Sequence, residues 1–164
     1  MIQDACILFD LIDLGLIVPF FGLELTVMTT SQVIVEVTDD DQLHVTRGFI
    51  ESGRLVVDGS GGLTEIQEIL GRNSGLSFAD SSVLELAIRV NGAILSSDLK
   101  LRNATSRNGL TIRGILWVVE ELHANKLLSK TEALEKLGLY EKINDRAPRS
   151  EIRILTEKIS KHES

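Results

Sequence analysis

The sequence predicts an α/β fold in which a mainly parallel sheet is covered by helices on both faces. Short apolar runs alternate along the chain with longer segments of helical periodicity, the pattern of repeated strand–helix–strand units. Gly92–Ser96 has the length and the continuous apolarity of a buried parallel strand. The chain has 164 residues, 43% hydrophobic and only 4% aromatic, so one domain with an aliphatic core is expected.

The N-terminal segment is expected to supply two strands and three helices. A very short opening strand precedes a buried helix over residues 5–14, where apolar side chains are dense. Leu23–Met28 is apolar and typical of a strand. Residues 29–31 can cap a helix that extends through Val37. The three aspartates 39–41 suit the positive end of a further helix.

A third strand and two helices follow. Arg54–Asp58 is the strand, and the helix after it extends to about Asn73. Ser82 and Glu85 have the spacing of a capping box, which predicts that the next helix begins there and continues through Val90.

The C-terminal part contains the last two strands. Asp98 begins a helix after the strand Gly92–Ser96, and Leu110–Ile112 is the final short strand. Helical spacing recurs from Ile115 to Leu122. Ser129 and Glu132 then form a capping box for a helix that Gly138 is expected to terminate.

The domain prediction is a main unit over residues 1–138 and a C-terminal tail over 139–164, with an amphipathic helix packed on or near that unit. The longest uncharged apolar run, Leu14–Leu23, is about half a membrane span. A soluble cytoplasmic protein without a membrane partner is therefore expected. A lone cysteine, Cys6, excludes an internal disulfide, and its apolar helix predicts an inert core thiol.

Charge is distributed unevenly along a chain of net charge −7. Residues 1–52 contain nine acids and one base, whereas residues 99–113 contain four bases and no acid. The global acidity argues against non-specific coating of nucleic acid, which depends on phosphate neutralisation. The basic stretch is either a solvated helix face or a local track for a phosphate backbone.

Four carboxylates come from four segments that can meet at one edge of the sheet. Asp4 and Asp98 follow strands, Asp80 opens a helix, and Glu36 lies in the helix after the second strand. Ligands bind beyond the carboxyl ends of parallel strands. Clustered carboxylates raise one another's pKa unless a cation compensates them, and Mg²⁺ or Mn²⁺ prefers such oxygen ligands.

Other roles for these acids stay open on the residues alone. Asp80 and Asp98 both occupy positions typical of helix N-caps. Asp4 could be solvated near the terminus, and Glu36 could lie on an exposed helix face. A phosphatase-like or response-regulator-like domain also uses aspartates at strand ends, although the order of acids suits it poorly.

The residues around these acids resemble the PIN domain, and in particular toxin ribonucleases of the VapC type. The likeness covers about residues 2–138 and rests on four segments, Asp4–Leu8, Thr29–Ser31 with Glu36, Leu76–Ser82 and Ala93–Arg102. It implies a three-layer α/β/α PIN-like fold with a mainly parallel central sheet. The implied activity is Mg²⁺- or Mn²⁺-dependent hydrolysis of single-stranded RNA.

The resemblance also implies roles for individual residues. Asp4, Glu36, Asp80 and Asp98 would form the catalytic site, with Asp4, Asp80 and Asp98 as metal ligands. Ser96 stands where the family has a hydroxyl that orients an acid. Two departures are Cys6, in place of a polar residue, and Asn103, where some members have another acid.

Partners and rival functions complete the sequence-based expectations. Lys100 and Arg102 are predicted to contact RNA. A cognate antitoxin protein and a second copy of the chain, as a homodimer, are the expected protein partners. The alternative function is a catalytically weak or inactive PIN-like module that acts through protein contacts.

Overall fold

The computed structural model describes residues 1–161, which contain five strands and ten helices. The strands are β1 Ile2–Gln3, β2 Val27–Thr30, β3 Leu55–Asp58, β4 Ile94–Leu95 and β5 Ile112–Arg113. The first five helices are α1 Ala5–Asp13, α2 Ile17–Phe20, α3 Ser31–Glu36, α4 Asp40–Glu51 and α5 Leu63–Arg72. The others are α6 Phe78–Val90, α7 Leu99–Arg107, α8 Ile115–Ala124, α9 Lys130–Ile143 and α10 Arg149–Lys161.

The five strands form one sheet in the order β3-β2-β1-β4-β5, and every pair in it is parallel. The predicted parallel sheet is therefore confirmed. From the central strand β1 the chain builds outward to β3, then returns to β4 on the other side of β1. This reversal creates a switch point beyond the carboxyl ends of β1 and β4, where open parallel sheets bind their ligands.

Strand register places two of the predicted site residues side by side. Gln3 pairs with Leu95 in the β1–β4 ladder. The residues that leave these strands, Asp4 and Ser96, consequently emerge at the same edge. Their proximity follows from backbone pairing and needs no long side-chain reach.

Helix α6 is the main packing partner of the sheet in this part of the chain. It contacts α3, α5 and α7 together with β1, β2 and β4. Its apolar residues, including Val83, Leu84 and Leu86, share a buried core with Ile2 and Ile94 of the sheet. A side chain at the N-terminal end of α6 is thereby held at a fixed height relative to the strand ends.

The chain divides into two compact units. The first comprises Met1–Phe9 and Leu25–Arg113 and contains the whole sheet with α3 to α7. The second comprises Asp10–Glu24 and the chain from Gly114 onward. In the second unit α10 packs on α8 and α9 through buried Ile152, Leu155 and Ile159, so the predicted amphipathic tail helix is present. No helix within residues 1–161 is both long and apolar enough to cross a membrane.

Three element boundaries differ from the sequence prediction by four residues or more, and the short helix α2 was not predicted. Strand β2 begins at Val27 rather than Leu23, because only residues from Val27 onward pair with β3. Helix α6 begins at Phe78, one turn before the predicted Ser82 cap. Helix α9 passes through Gly138 and ends at Ile143, where the chain leaves the helical conformation at Asn144.

Two predicted side-chain roles are also wrong. Ser82 is buried inside α6, where its hydroxyl donates to the Ala79 carbonyl and lies 2.7 Å from the Thr30 hydroxyl. Glu85 pairs with Arg89 rather than capping the helix. Cys6 lies on the exposed side of α1, so it is not a core thiol.

Candidate active site

Asp4 is the buried centre of the candidate site. It is 2% exposed, and its carboxylate oxygens are held on two sides. The backbone N–H of Ile7 donates to Oδ1 at 2.8 Å, and the Ser96 hydroxyl bonds to Oδ2. Strand pairing therefore positions this carboxyl group, and the first turn of α1 and Ser96 orient it.

The surroundings of Asp4 favour its protonated form. Burial is the largest cause and raises the pKa of this carboxyl from 3.8 to about 7. The hydrogen bonds from Ser96 and Ile7 act in the opposite direction, and the negative charges of Asp80 and Asp98 raise the pKa further. Asp4 thus lies within electrostatic reach of two other predicted site acids.

Ser96 connects Asp4 with Asp98. Its hydroxyl, which is completely buried, bonds to the Asp4 carboxyl and accepts the backbone N–H of Asp98 at 3.0 Å. Asp98 is half-buried and is the N-cap of α7, where its Oδ1 accepts from the Leu101 N–H at 2.8 Å. The cap uses one of the two carboxylate oxygens of Asp98.

Asp80 is fixed at the start of α6 by a reciprocal capping box. Its Oδ2 accepts from the Ser77 N–H at 2.8 Å, and its own N–H donates to the Ser77 hydroxyl at 3.0 Å. The group is half-buried. Sequence reasoning overlooked Ser77, although the spacing Ser77-x-x-Asp80 is itself a capping-box signal.

Glu36 is the last residue of α3 and is exposed. Partial desolvation is the first cause that raises the pKa of its carboxyl, and the charge of Asp80 is the second. Glu36 therefore belongs to the same electrostatic cluster through Asp80. Glu36 is thus exposed, Asp80 and Asp98 are half-buried, and Asp4 is buried.

The four acids are coupled electrostatically without forming a ready coordination set. Within the described part of the chain, no group of three or more histidine, cysteine, aspartate or glutamate side chains is spaced to hold a metal ion. The capping role and the site role are not exclusive for Asp80 and Asp98. Each uses one carboxylate oxygen to cap its helix and retains the other.

The donor chemistry fits a hard divalent cation. A buried carboxyl with two like charges nearby is stabilised as the anion when a cation binds, which lowers its pKa. Carboxylate oxygens are the protein ligands that Mg²⁺ and Mn²⁺ prefer. Asp4, Asp80 and Asp98 are the residues that would hold the ion.

The two predicted RNA contacts differ in their environments. Arg102 is half-buried and donates from one guanidinium nitrogen to the Ser96 carbonyl at 2.9 Å and the Arg113 carbonyl at 3.1 Å. It therefore ties the ends of β4 and β5 together. Lys100 is exposed and lies across Gly75, where an added Cβ would be 3.0 Å from Lys100 Nζ.

The two departures noted in the sequence lie at the surface. Cys6 and Asn103 are both exposed. The hydrogen bonds that hold Asp4 come from Ile7 and Ser96, so they do not depend on the identity of residue 6.

Gln3, immediately before Asp4, is completely buried, and both atoms of its side-chain amide lack a hydrogen-bond partner within residues 1–161.

Comparison with known proteins gives one finding. A family model described as a PIN domain matches residues 1–158, which is almost the whole chain and includes nearly all of α10. No curated protein matches the chain.

Proposed function

This chain belongs to the PIN domain family, and on that basis we propose that it is a metal-dependent ribonuclease that hydrolyses phosphodiester bonds in single-stranded RNA. The resemblance seen in the sequence is confirmed at the family level, as is the three-layer α/β/α class with its parallel sheet. PIN domains are generally nucleases and typically use divalent metal ions. The substrate, the ion and any toxin role are parts of the proposal.

One observation supports the proposal most directly. Asp4 is almost fully buried, held by Ser96, and within electrostatic reach of Asp80 and Asp98. A buried carboxyl under like-charge repulsion costs free energy when it ionises unless a cation compensates it. Such groups are typical of functional sites.

Each residue of the candidate site would have a distinct role in phosphodiester hydrolysis. Asp4 and Asp98 are oriented through Ser96, and Asp80 is oriented by its capping box with Ser77. When bound, Mg²⁺ or Mn²⁺ supplies charge neutralisation at the phosphate and helps to generate hydroxide from water. Glu36 is the exposed acid with a raised pKa, which suits it to accept a proton from attacking water.

The test is cleavage of a varied single-stranded RNA panel by the purified full chain. We expect cutting in Mg²⁺ or Mn²⁺ and none in EDTA. Asp98→Asn should abolish the activity, because Asp98 is a proposed ligand, while Asp41→Asn should leave it intact. Asp41 is an exposed aspartate in the first turn of α4 and is the matched control.

Two results would contradict the proposal. Cleavage that persists in Asp98→Asn would indicate a contaminating nuclease. An absence of cleavage by the wild-type chain across the panel would favour the inactive PIN-like module that acts through protein contacts.

The toxin role and the protein partners extend the proposal. Toxin ribonucleases of the VapC type act with an antitoxin, and a homodimer is the expected state of this chain. A small DNA-binding protein encoded beside the gene, which binds the purified chain and suppresses its RNA cleavage, would support the toxin role. A partner that binds without suppressing cleavage would count against it.

A further inference from the structure

We propose that Phe78 is a stacking platform for an unpaired nucleobase next to the acidic site; the inference rests on the proposed ribonuclease function. Phe78 is the first residue of α6, two positions before Asp80. At 36% exposure, it is the most exposed aromatic side chain within residues 1–161. In a chain with few aromatics, this ring lies at the N-terminal end of α6, in the same helical turn as a predicted site acid, rather than in the core.

The backbone around Phe78 is held rigidly. The capping box between Ser77 and Asp80 spans it, and the Ser81 hydroxyl donates to the Ser77 carbonyl at 2.9 Å. Leu76, two residues earlier, is buried at 7% exposure. The chain therefore anchors the start of α6 through Leu76 and presents the Phe78 ring at a fixed position relative to Asp80.

Positive charge borders the loop that leads into Phe78. Lys100 lies across Gly75, three residues before the ring, and Gly75 has a φ of +89°. The Arg107 guanidinium donates to the Asn73 side-chain oxygen at 3.0 Å. Two bases of α7 thus lie against residues 73 and 75, in the loop that leads into Phe78.

A second exposed apolar side chain accompanies another site acid. Leu99 follows Asp98 directly and is 68% exposed. Apolar surface therefore flanks acids at the N-terminal ends of both α6 and α7. Such surface is a poor contact for phosphate and a good one for the face of a base.

These features together specify the occupant. Proteins that bind single-stranded nucleic acid combine cationic side chains along the backbone with aromatic rings on which bases stack. The base faces of a duplex are already stacked within it, so Phe78 would favour unpaired RNA over paired RNA. The ligand class is a single-stranded RNA segment with one base on Phe78 and phosphate near Lys100.

The experiment measures binding of single-stranded RNA that contains the fluorescent base analogue 2-aminopurine. The full chain is used in Mn²⁺, in an Asp98→Asn background that prevents cleavage. Loss of one base–aromatic stack is worth about 5- to 150-fold in affinity. Phe78→Ala and Phe78→Leu should both weaken binding in that range and remove the fluorescence quenching, whereas Phe78→Trp should retain both.

The matched control is Ile88→Ala, which truncates another exposed apolar residue of α6 at the opposite end of the helix. It should leave RNA affinity unchanged. Phe78→Leu also separates stacking from packing, because it keeps an apolar side chain. Thermal unfolding shows whether each variant is folded under the binding conditions.

The outcomes separate this inference from the proposed function. If the wild-type chain cleaves RNA and Phe78→Leu has the same affinity and quenching, the platform is refuted and the ribonuclease stands. If the wild-type chain fails to cleave yet binds RNA in a manner that requires an aromatic at position 78, the activity is refuted and the platform stands. Absence of RNA binding, or Phe78-dependent binding of a protein instead, overturns the platform.

Discussion

Replacement of Asp4 by asparagine removes a buried ionisable group while it preserves the size of the side chain. The asparagine oxygen can accept the Ile7 N–H as Oδ1 does, and its amide nitrogen can donate to the Ser96 hydroxyl oxygen. The variant thus imitates protonated Asp4. The two proteins should therefore differ chiefly in how their stability depends on pH.

The sign follows from the raised pKa of Asp4. In the folded chain the carboxyl keeps its proton up to about pH 7, whereas in the unfolded chain it releases it near 3.8. Its contribution to stability is complete below about pH 4 and is lost as the pH rises through 7. Between pH 5 and pH 8 the wild type should lose about 3 kcal/mol relative to Asp4→Asn, at about 1.4 kcal/mol for each pH unit up to the pKa.

Urea unfolding in EDTA at pH 5 and pH 8 measures the free energy of unfolding of both proteins. The change between the two pH values in the wild type is then compared with the change in Asp4→Asn. Asp41→Asn, at an exposed site, should show the pH dependence of the wild type. At pH 8, Mn²⁺ at 100 times its dissociation constant should restore about 2.7 kcal/mol to the wild type and little to Asp4→Asn. Parallel pH profiles for the wild type and Asp4→Asn in EDTA would refute the buried, charge-repelled carboxyl on which this reasoning depends.

Three further perturbations test the surroundings of the site. Ser96→Ala removes the hydrogen bond that lowers the pKa of Asp4, so NMR titration of that carboxyl should show a higher pKa than in the wild type; an unchanged value would contradict the contact. Ser77→Ala removes the α6 cap and should cost about 1 kcal/mol in urea unfolding, while Ser77→Asp should retain most of the stability. Lys100→Ala should weaken RNA binding about equally for all sequences and reduce the salt dependence of the binding constant by about one counterion. Lys142→Ala, also at the surface, is the control, and an unchanged salt slope for Lys100→Ala would place the RNA elsewhere.

The sequence was sufficient to predict the parallel sheet because its strands are short apolar runs separated by helices. It was insufficient for the start of α6. Ser77 with Asp80 and Ser82 with Glu85 both match the capping-box pattern, so local chemistry alone does not choose between them. Tertiary packing decides, since Ala79 is buried and Ser82 lies against Thr30 of the neighbouring strand.

The candidate site shows the same division between local and long-range information. Acids placed after strands could be identified from order alone, since parallel strands end at one edge. The part played by Ser96 depends on the register that pairs Gln3 with Leu95, which no local pattern reveals. Arg102 illustrates the reverse case: its charge predicted a phosphate contact, yet one of its nitrogens is engaged by two backbone carbonyls.

The pairing of β1 with β4 also governs when the site can exist. Asp4 and Ser96 are separated by 92 positions, and they meet only after that loop has closed, which makes the contact one of the later ones to form. During synthesis, a nascent chain that ends before Ser96 lacks both the Ser96 hydroxyl and the Asp98 carboxylate. The candidate site is therefore completed only after most of the first unit has been translated and β4 has paired with β1.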